Sequence, residues 1–252
     1  MAVATLIGLW IYDEMNYNKS FAYYEKIGQV QMYQTFNDVR GPQSAIPLPL
    51  GKELKKYDDF SEISMASWNF EHIVAVGDNK FAKNGMYVEP NFTKMLSLQM
   101  SYGTQNGLSD VNVIMLSETL AKSLFGNSDP IGKIVKFDNN SDLSVTGVFK
   151  DFPHNSEFKD VSMFVPWSYY VASQEWIKRS EQLWDNNSWQ CYVQLSEKTD
   201  YEQTNRKIKD IVLNNIPKDM ITLQPEVFIH PMHKWRMYSG VKDGKYEGGI
   251  IT

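Results

Sequence analysis

The chain holds a single cysteine, Cys191, in 252 residues, which excludes an internal disulfide. Positive charge is also short: 25 Lys and Arg stand against 30 Asp and Glu, for a net charge of −5. A phosphate backbone needs a basic stripe, and none is present, which argues against nucleic acid as a partner. No G-x-x-x-x-G-K-[ST] loop occurs, so any ATPase lies outside this chain. No G-x-S-x-G elbow occurs either, so Ser117 is not that kind of nucleophile. The uncharged apolar run at the N-terminus, Ala2 to Tyr12, has about a dozen residues, fewer than the roughly 20 that cross a bilayer. It has no basic leader or small-residue cleavage site, so it is not a signal peptide. No internal repeat or low-complexity segment is visible.

What is there belongs to a globular protein. The chain is 42% hydrophobic and 22% charged, so it is not disordered. Its length suits one large domain or two small ones and buries roughly three quarters of the unfolded surface. Cys191 falls in the alternating run Trp189, Cys191, Val193, Leu195, as a buried strand residue would. The run Ala2 to Tyr12 stops sharply at Asp13-Glu14, with Trp10 and Tyr12 where an interfacial aromatic belt would fall. It reads as the outer end of a membrane helix or as a buried helix or strand, and the local sequence does not choose. Gly248 to Thr252 turns apolar again.

The densest punctuation lies between Val113 and Phe149. Val113 to Leu116 is a short apolar run, as in a buried strand. Ser117 can cap a helix, and Glu118 sits in its first turn, where the macrodipole favours an anion. Leu120, Ala121 and Leu124 share one face. Gly126 can take the left-handed conformation that ends a helix, and Pro130 prevents its resumption. Strands at Ile134 to Phe137 and Leu143 to Phe149 flank the turn formers Asp138 to Asp142.

Elsewhere, Asn16 to Gly28 looks helical, with Tyr17, Phe21, Tyr24 and Ile27 on one side, and Gln29 to Phe36 reads as a strand. Gly41, Pro42, Pro47 and Pro49 mark a loop before a helix aligned by Leu50, Leu54 and Tyr57. Ile63 to Trp68, His72 to Val76 and Phe81 to Val88 read as strands, with a hairpin turn at Gly77-Asp78-Asn79. An aromatic, less periodic stretch holds Trp167, Tyr169, Tyr170, Trp176 and Trp184. A strand follows at Trp189 to Leu195. Thr199 and Glu202 form a capping box for a helix carrying Ile208, Ile211 and Val212, with Pro217 past its end and a last strand at Leu223 to Ile229. The order β-α-β, insertion, β-α-β predicts an α+β fold: a split subdomain interrupted by a second, mainly β one.

Several pieces together resemble the extracytoplasmic core domain of MacB-like ABC transporter permeases, the family that also carries the FtsX-like permease module. They are Ser117-Glu118, Ala121-Lys122, Leu124-Phe125-Gly126, Asp129-Pro130-Ile131-Gly132-Lys133, Val145-Thr146-Gly147-Val148 and Pro153, with Leu9 to Glu14 before them and Glu89-Pro90-Asn91-Phe92 between. The resemblance implies the fold by parts. Residues 1–12 would be the outer end of a truncated transmembrane helix. Residues 13–97 and 186–238 would form the split subdomain called Porter, and 98–185 the inserted Sabre. Residues 239–252 would approach the next membrane helix. It also implies function. Such a domain faces the periplasm from the inner membrane and is no enzyme. It couples cytoplasmic ATP hydrolysis to substrate export or release by mechanotransmission. Its partners would be an ABC ATPase, a second permease subunit and the membrane through flanking helices. ATP would be bound by a separate nucleotide-binding domain, with no cofactor in this chain. The long stalk that reaches a periplasmic adaptor in some members is missing between Gln29 and Ile229, so docking to an adaptor is not implied.

Chemical alternatives fare worse. His230 and His233 have a spacing that can serve one metal, but Pro231 lies between them and no Cys or third His is near. His72 and His154 are isolated. Adjacent carboxylates, Asp13-Glu14 and Asp58-Asp59, do not face each other and make a poor acid/base pair. No catalytic, cofactor or metal residue is assigned. Aromatics make up 13% of the chain, with seven Trp; most should fill core. An exposed cluster around Trp167 to Trp184 would favour the alternative function, a periplasmic binding module for a lipid, peptide or glycan.

Overall fold

In the computed structural model, residues 2–248 are described. Helix α1 (Ala2–Met15) leads into a series of turns, not into the expected second helix at 16–28. Asn18 is the cause: it is left-handed at φ 62 and fully buried, and its N–H goes to the Asn155 carbonyl. Strand β1 (Ile27–Phe36) begins within the expected helix. β2 (Val39–Gln43) pairs with it, so Gly41 and Pro42 lie in a strand rather than a loop. Pro is tolerated at such an edge, where no ladder N–H is missed. β3 (Ile46–Pro47) runs into α2 (Leu48–Leu54), where Pro49 occupies the first turn, the one place in a helix where its missing N–H costs nothing. β4 (Phe60–Ala66), β5 (Phe70–Val76) and β6 (Asn79–Val88) follow as expected. Gly77 at φ 56 opens the two-residue turn between β5 and β6, with Val76 opposite Asn79.

Next come α3 (Phe92–Met95), β7 (Met100–Gly103), β8 (Val113–Ser117) and α4 (Glu118–Phe125). Ser117 caps α4 by accepting from the Leu120 N–H at 3.4 Å. Gly126 ends α4 at φ 63, ψ −128, which is not the left-handed helical region but one that only glycine adopts freely. β9 (Ile134–Phe137), β10 (Ser141–Phe149) and β11 (Met163–Pro166) complete this part. The aromatic stretch folds as two short helices, α5 (Trp167–Ser173) and α6 (Glu175–Arg179). β12 (Asn187–Leu195) then returns. The cap of α7 (Tyr201–Ile208) is Asp200, whose carboxylate accepts from the Gln203 N–H at 2.8 Å. Thr199 instead donates to the carbonyls of Asp59 and Ser196, and Glu202 pairs with Arg206, so the expected capping box does not form. A 3-10 turn occupies Lys218–Leu223, and the last long strand, β13 (Glu226–Pro231), starts later than expected. β14 (Gly240–Lys242) and β15 (Lys245–Glu247) form a hairpin in the stretch expected to approach a membrane helix; residues 249–252 lie outside the described ones.

The chain folds as α+β. The base sheet has the order β4-β12-β1-β13, all neighbours antiparallel. β1-α2-β4 and β12-α7-β13 are two β-α-β units interleaved in one sheet, the split arrangement. Its helix-side core holds Val30, Met32, Ile63, Met65, Cys191, Val193, Val227 and Ile229 against α2 and α7. The inserted part is a closed ring: β5-β6-β11-β8-β10-β9, with β9 pairing back to β5. β5 and β6 thus join this ring although they precede residue 98, where the sequence places the boundary. Ile114 and Leu116 face the ring's interior with Leu120 and Leu124 of α4, while Val113 and Met115 face a third core outside it. That third core joins ring to base, packing Phe149 and Phe164 against Ile27, Tyr192 and Met232.

Candidate functional site at the root of the first helix

Apolar side chains of α1 are exposed from Val3 through Ile11, with Leu6, Leu9 and Trp10 among them. Among the described residues no helix is long and apolar enough to cross a membrane. This exposed apolar helix is held to the rest of the domain by its end. That end is Asp13 to Phe21.

Asp13 and Glu14, adjacent in sequence, reach opposite partners. Asp13 meets Nε2 of His154, on the segment that leaves the ring after β10, at 2.9 Å. Glu14 makes a two-pronged pair with Arg236, near the chain's end, at 2.5 and 2.7 Å. The hydrogen bonds that Arg236 donates to Glu14 lower the glutamate's pKa and raise the arginine's. The guanidinium also lies over the Tyr17 ring, 5.5 Å from its centroid. Tyr17 donates its hydroxyl to Glu157 at 3.0 Å, and burial raises its pKa. Asn18 accepts from the Glu157 N–H. Phe21 then enters the third core, edge-on to Phe158 at 5.7 Å and tilted against Phe152.

Magnitudes separate the roles. Exposed ion pairs give about 0.2–1 kcal/mol each, whereas removing a buried Phe costs about 3–5 kcal/mol. Packing of Phe21 holds the root, and the hydrogen bonds of Asp13 and Glu14 fix its direction. Below it opens a cavity of about 480 Å³ lined by Tyr24, Tyr201, His233 and Arg236 among others. Burial lowers the His233 pKa, with Lys234 adding to the effect.

Other candidates from the sequence are scattered. His230 sits at the end of β13 and His233 in the following turn; no group of three metal-ligating side chains occurs among the described residues. His72 bonds Asp138 at 2.8 Å in the ring. Asp59 holds Lys207 and Thr204, while the Asp58 carbonyl accepts from Ser196. Of the aromatic stretch, Trp167 and Tyr170 pack on two cores, and Trp176 stacks on Trp189 at 5.4 Å. Arg236, Tyr17 and Glu157 escape sequence reasoning, since their pairings span 140 to 222 positions. The one signal was the abrupt change from Tyr12 to Asp13-Glu14.

A model of the MacB-like periplasmic core domain matches residues 1–211. The chain belongs to this family. A search of curated proteins gave no match. Among solved structures, this MacB-like domain is similar to a domain of a protein described as a permease from Porphyromonas gingivalis. The TM-score is 0.69 at 18% identity, covering 84% of this chain and 91% of that one. It is similar to the periplasmic region of MacB from Actinobacillus actinomycetemcomitans, with TM-score 0.57, 16% identity and coverage of 85% and 94%. It is also similar to the extracellular domain of the noncanonic ABC-type transporter YknZ from Gram-positive bacteria, with TM-score 0.56, 16% identity and coverage of 79% and 99%. At these identities the neighbours establish the fold. Family membership makes this a periplasmic or extracellular domain of a transporter permease.

Proposed function

We propose that this MacB-like domain transmits movement. In this reading it stands on the periplasmic side of the inner membrane, joined to the permease through α1. A separate ABC ATPase binds and hydrolyses ATP, and the domain itself holds no cofactor and catalyses no reaction. Its rearrangement drives export or release of a substrate, beside a second permease subunit. The observation that carries this is the root of α1: an exposed apolar helix whose last turn is tied at once to Arg236 and to His154. A tilt of α1 would therefore act on the C-terminal segment and on the segment leaving the ring together.

The test uses the full permease reconstituted with its ATPase in vesicles. Arg236→Glu should lower transport about tenfold, the equivalent of about 1.4 kcal/mol, while ATP hydrolysis stays measurable. The exchange Glu14→Arg with Arg236→Glu should restore much of it, because the pair is then re-formed with reversed polarity. Transport that is indifferent to both variants counts against the reading.

A further inference from the structure

The open face of the base sheet carries a second cavity, of about 260 Å³, on the side opposite α2 and α7. Its floor is made of amides: Gln29 and Gln31 from β1 and Gln190 from β12. Gln31 is only 4% exposed. Its Nε2 donates to Gln29 Oε1 at 2.6 Å. Its Oε1 is buried with no hydrogen-bond partner. An unpaired buried acceptor costs about 1–3 kcal/mol, so it marks a place where a donor belongs. His230 lines the same cavity, 6% exposed, with no hydrogen bond to either ring nitrogen among the described residues. Burial keeps that imidazole neutral, hence one donor and one acceptor.

Aromatic rings form the walls. Trp68 and Trp235 are locked by their indole N–H groups, which donate to the carbonyls of Ser188 and His230. Tyr246 stacks on His230 at 4.3 Å. The lining contains no lysine or arginine and one carboxylate, Glu157, already engaged by Tyr17. An anion would find no counter-charge there. A metal would find no third ligand. A purely apolar guest would leave Gln31 unsatisfied. An extended peptide needs a longer groove than a cavity smaller than the roughly 300–1,000 Å³ of ordinary ligand sites.

We propose that this cavity is a saccharide subsite, taking one uncharged pyranose ring. Ring hydroxyls would donate to Gln31 Oε1 and exchange hydrogen bonds with His230 and Gln190, while the sugar's apolar C–H face lies against indole. The proposal goes beyond the coupling reading and stands or falls without it, since its test involves neither ATP nor a membrane.

The experiment is saturation-transfer NMR and tryptophan fluorescence on this chain, with glucose, galactose, mannose and N-acetylglucosamine as probes and triglycine as the peptide comparison. At least one sugar should saturate with a Kd of about 0.1–10 mM. Gln31→Met should weaken it about tenfold or more, because a polar site rejects what it cannot pair. Its melting temperature should hold or rise, since the orphaned acceptor is gone; a merely structural Gln31 would instead lower it. Gln190→Leu is the second variant, used if Gln31→Met does not fold, and should weaken binding similarly. Trp176→Leu, outside the cavity lining, should leave binding unchanged. Saturation by no sugar up to about 50 mM, saturation by triglycine alone, or binding that survives these cavity variants overturns the proposal.

Discussion

Glu14 and His230 show how differently two ionisable residues of this domain depend on their surroundings. The Glu14 carboxylate is stabilised by Arg236, so its folded pKa lies below the ordinary glutamate value. Its contribution to stability is complete above the unfolded pKa and is lost as pH falls through the folded one. Arg236→Gln should raise the Glu14 titration midpoint, followed by NMR of the carboxyl carbon; a midpoint that does not move would mean the pair is not formed in solution. His230 is the reverse type of group. Burial, with help from Lys234 and His233, lowers its pKa to about 4. Between there and about 6.5, the ordinary histidine value, the unfolded chain holds a proton that the folded one lacks. Stability therefore falls as pH drops through that window and levels off below it. The His230 share is about 3 kcal/mol at full extent. His230→Phe keeps the stack on Tyr246 and should flatten the slope of urea-denaturation stability between pH 4.5 and 6.5. An unchanged slope would assign the effect to other groups.

At the level of elements, α4 and its terminators test how far local chemistry decides structure. Gly126 sits at φ 63, ψ −128 with open space where a side chain would go. Gly126→Ala should thus cost backbone strain alone, about 1–3 kcal/mol, read as a shift of the denaturation midpoint without a change of slope. A neutral result would mean that the turn relaxes to another conformation. The β8-α4-β9-β10 run was legible because each boundary carries its own chemistry: a capping Ser117, a stop at Gly126, turn formers at 138–142. The strands β1, β5, β6 and β12 were legible from periodicity. Asn16 to Lys26 was not, since its helical spacing of Tyr17, Phe21 and Tyr24 is overridden by Asn18, whose left-handed backbone is held by residues 155 and 157 far along the chain. Asp200 displaced Thr199 as cap because Thr199 is drawn to the Asp59 carbonyl. β2 went unseen for a similar reason: pairing with β1, not local preference, makes Gly41 and Pro42 extended. The root of α1 and the amide-floored cavity belong to this second class, built of residues that only the tertiary fold brings together.

For the whole molecule, the question is whether base, ring and α1 root behave as one body. The ring and base share backbone at a single register point, Ala66 opposite Val88. Beside it the Ser67 N–H donates to the Tyr87 carbonyl and the Glu89 N–H to the Met65 carbonyl. The side chains of the third core supply the rest. Phe158 is 2% exposed and touches Phe21 of the root, Phe92, Phe152, and Tyr192 and Trp235 of the base. Phe158→Ala should cost about 3–5 kcal/mol, more than any ion pair at the root. If the core makes one body, far-UV and near-UV circular dichroism of the unaltered domain should report a single coincident transition in urea. Phe158→Ala should then shift both signals together or split them, according to whether the remaining contacts still hold ring to base. Two separate transitions in the unaltered domain would mean that ring and base are held apart energetically. A tilt of α1 would then reach the ring only through the segment that follows β10, where Asp13, Tyr17 and Asn18 meet His154, Glu157 and Asn155.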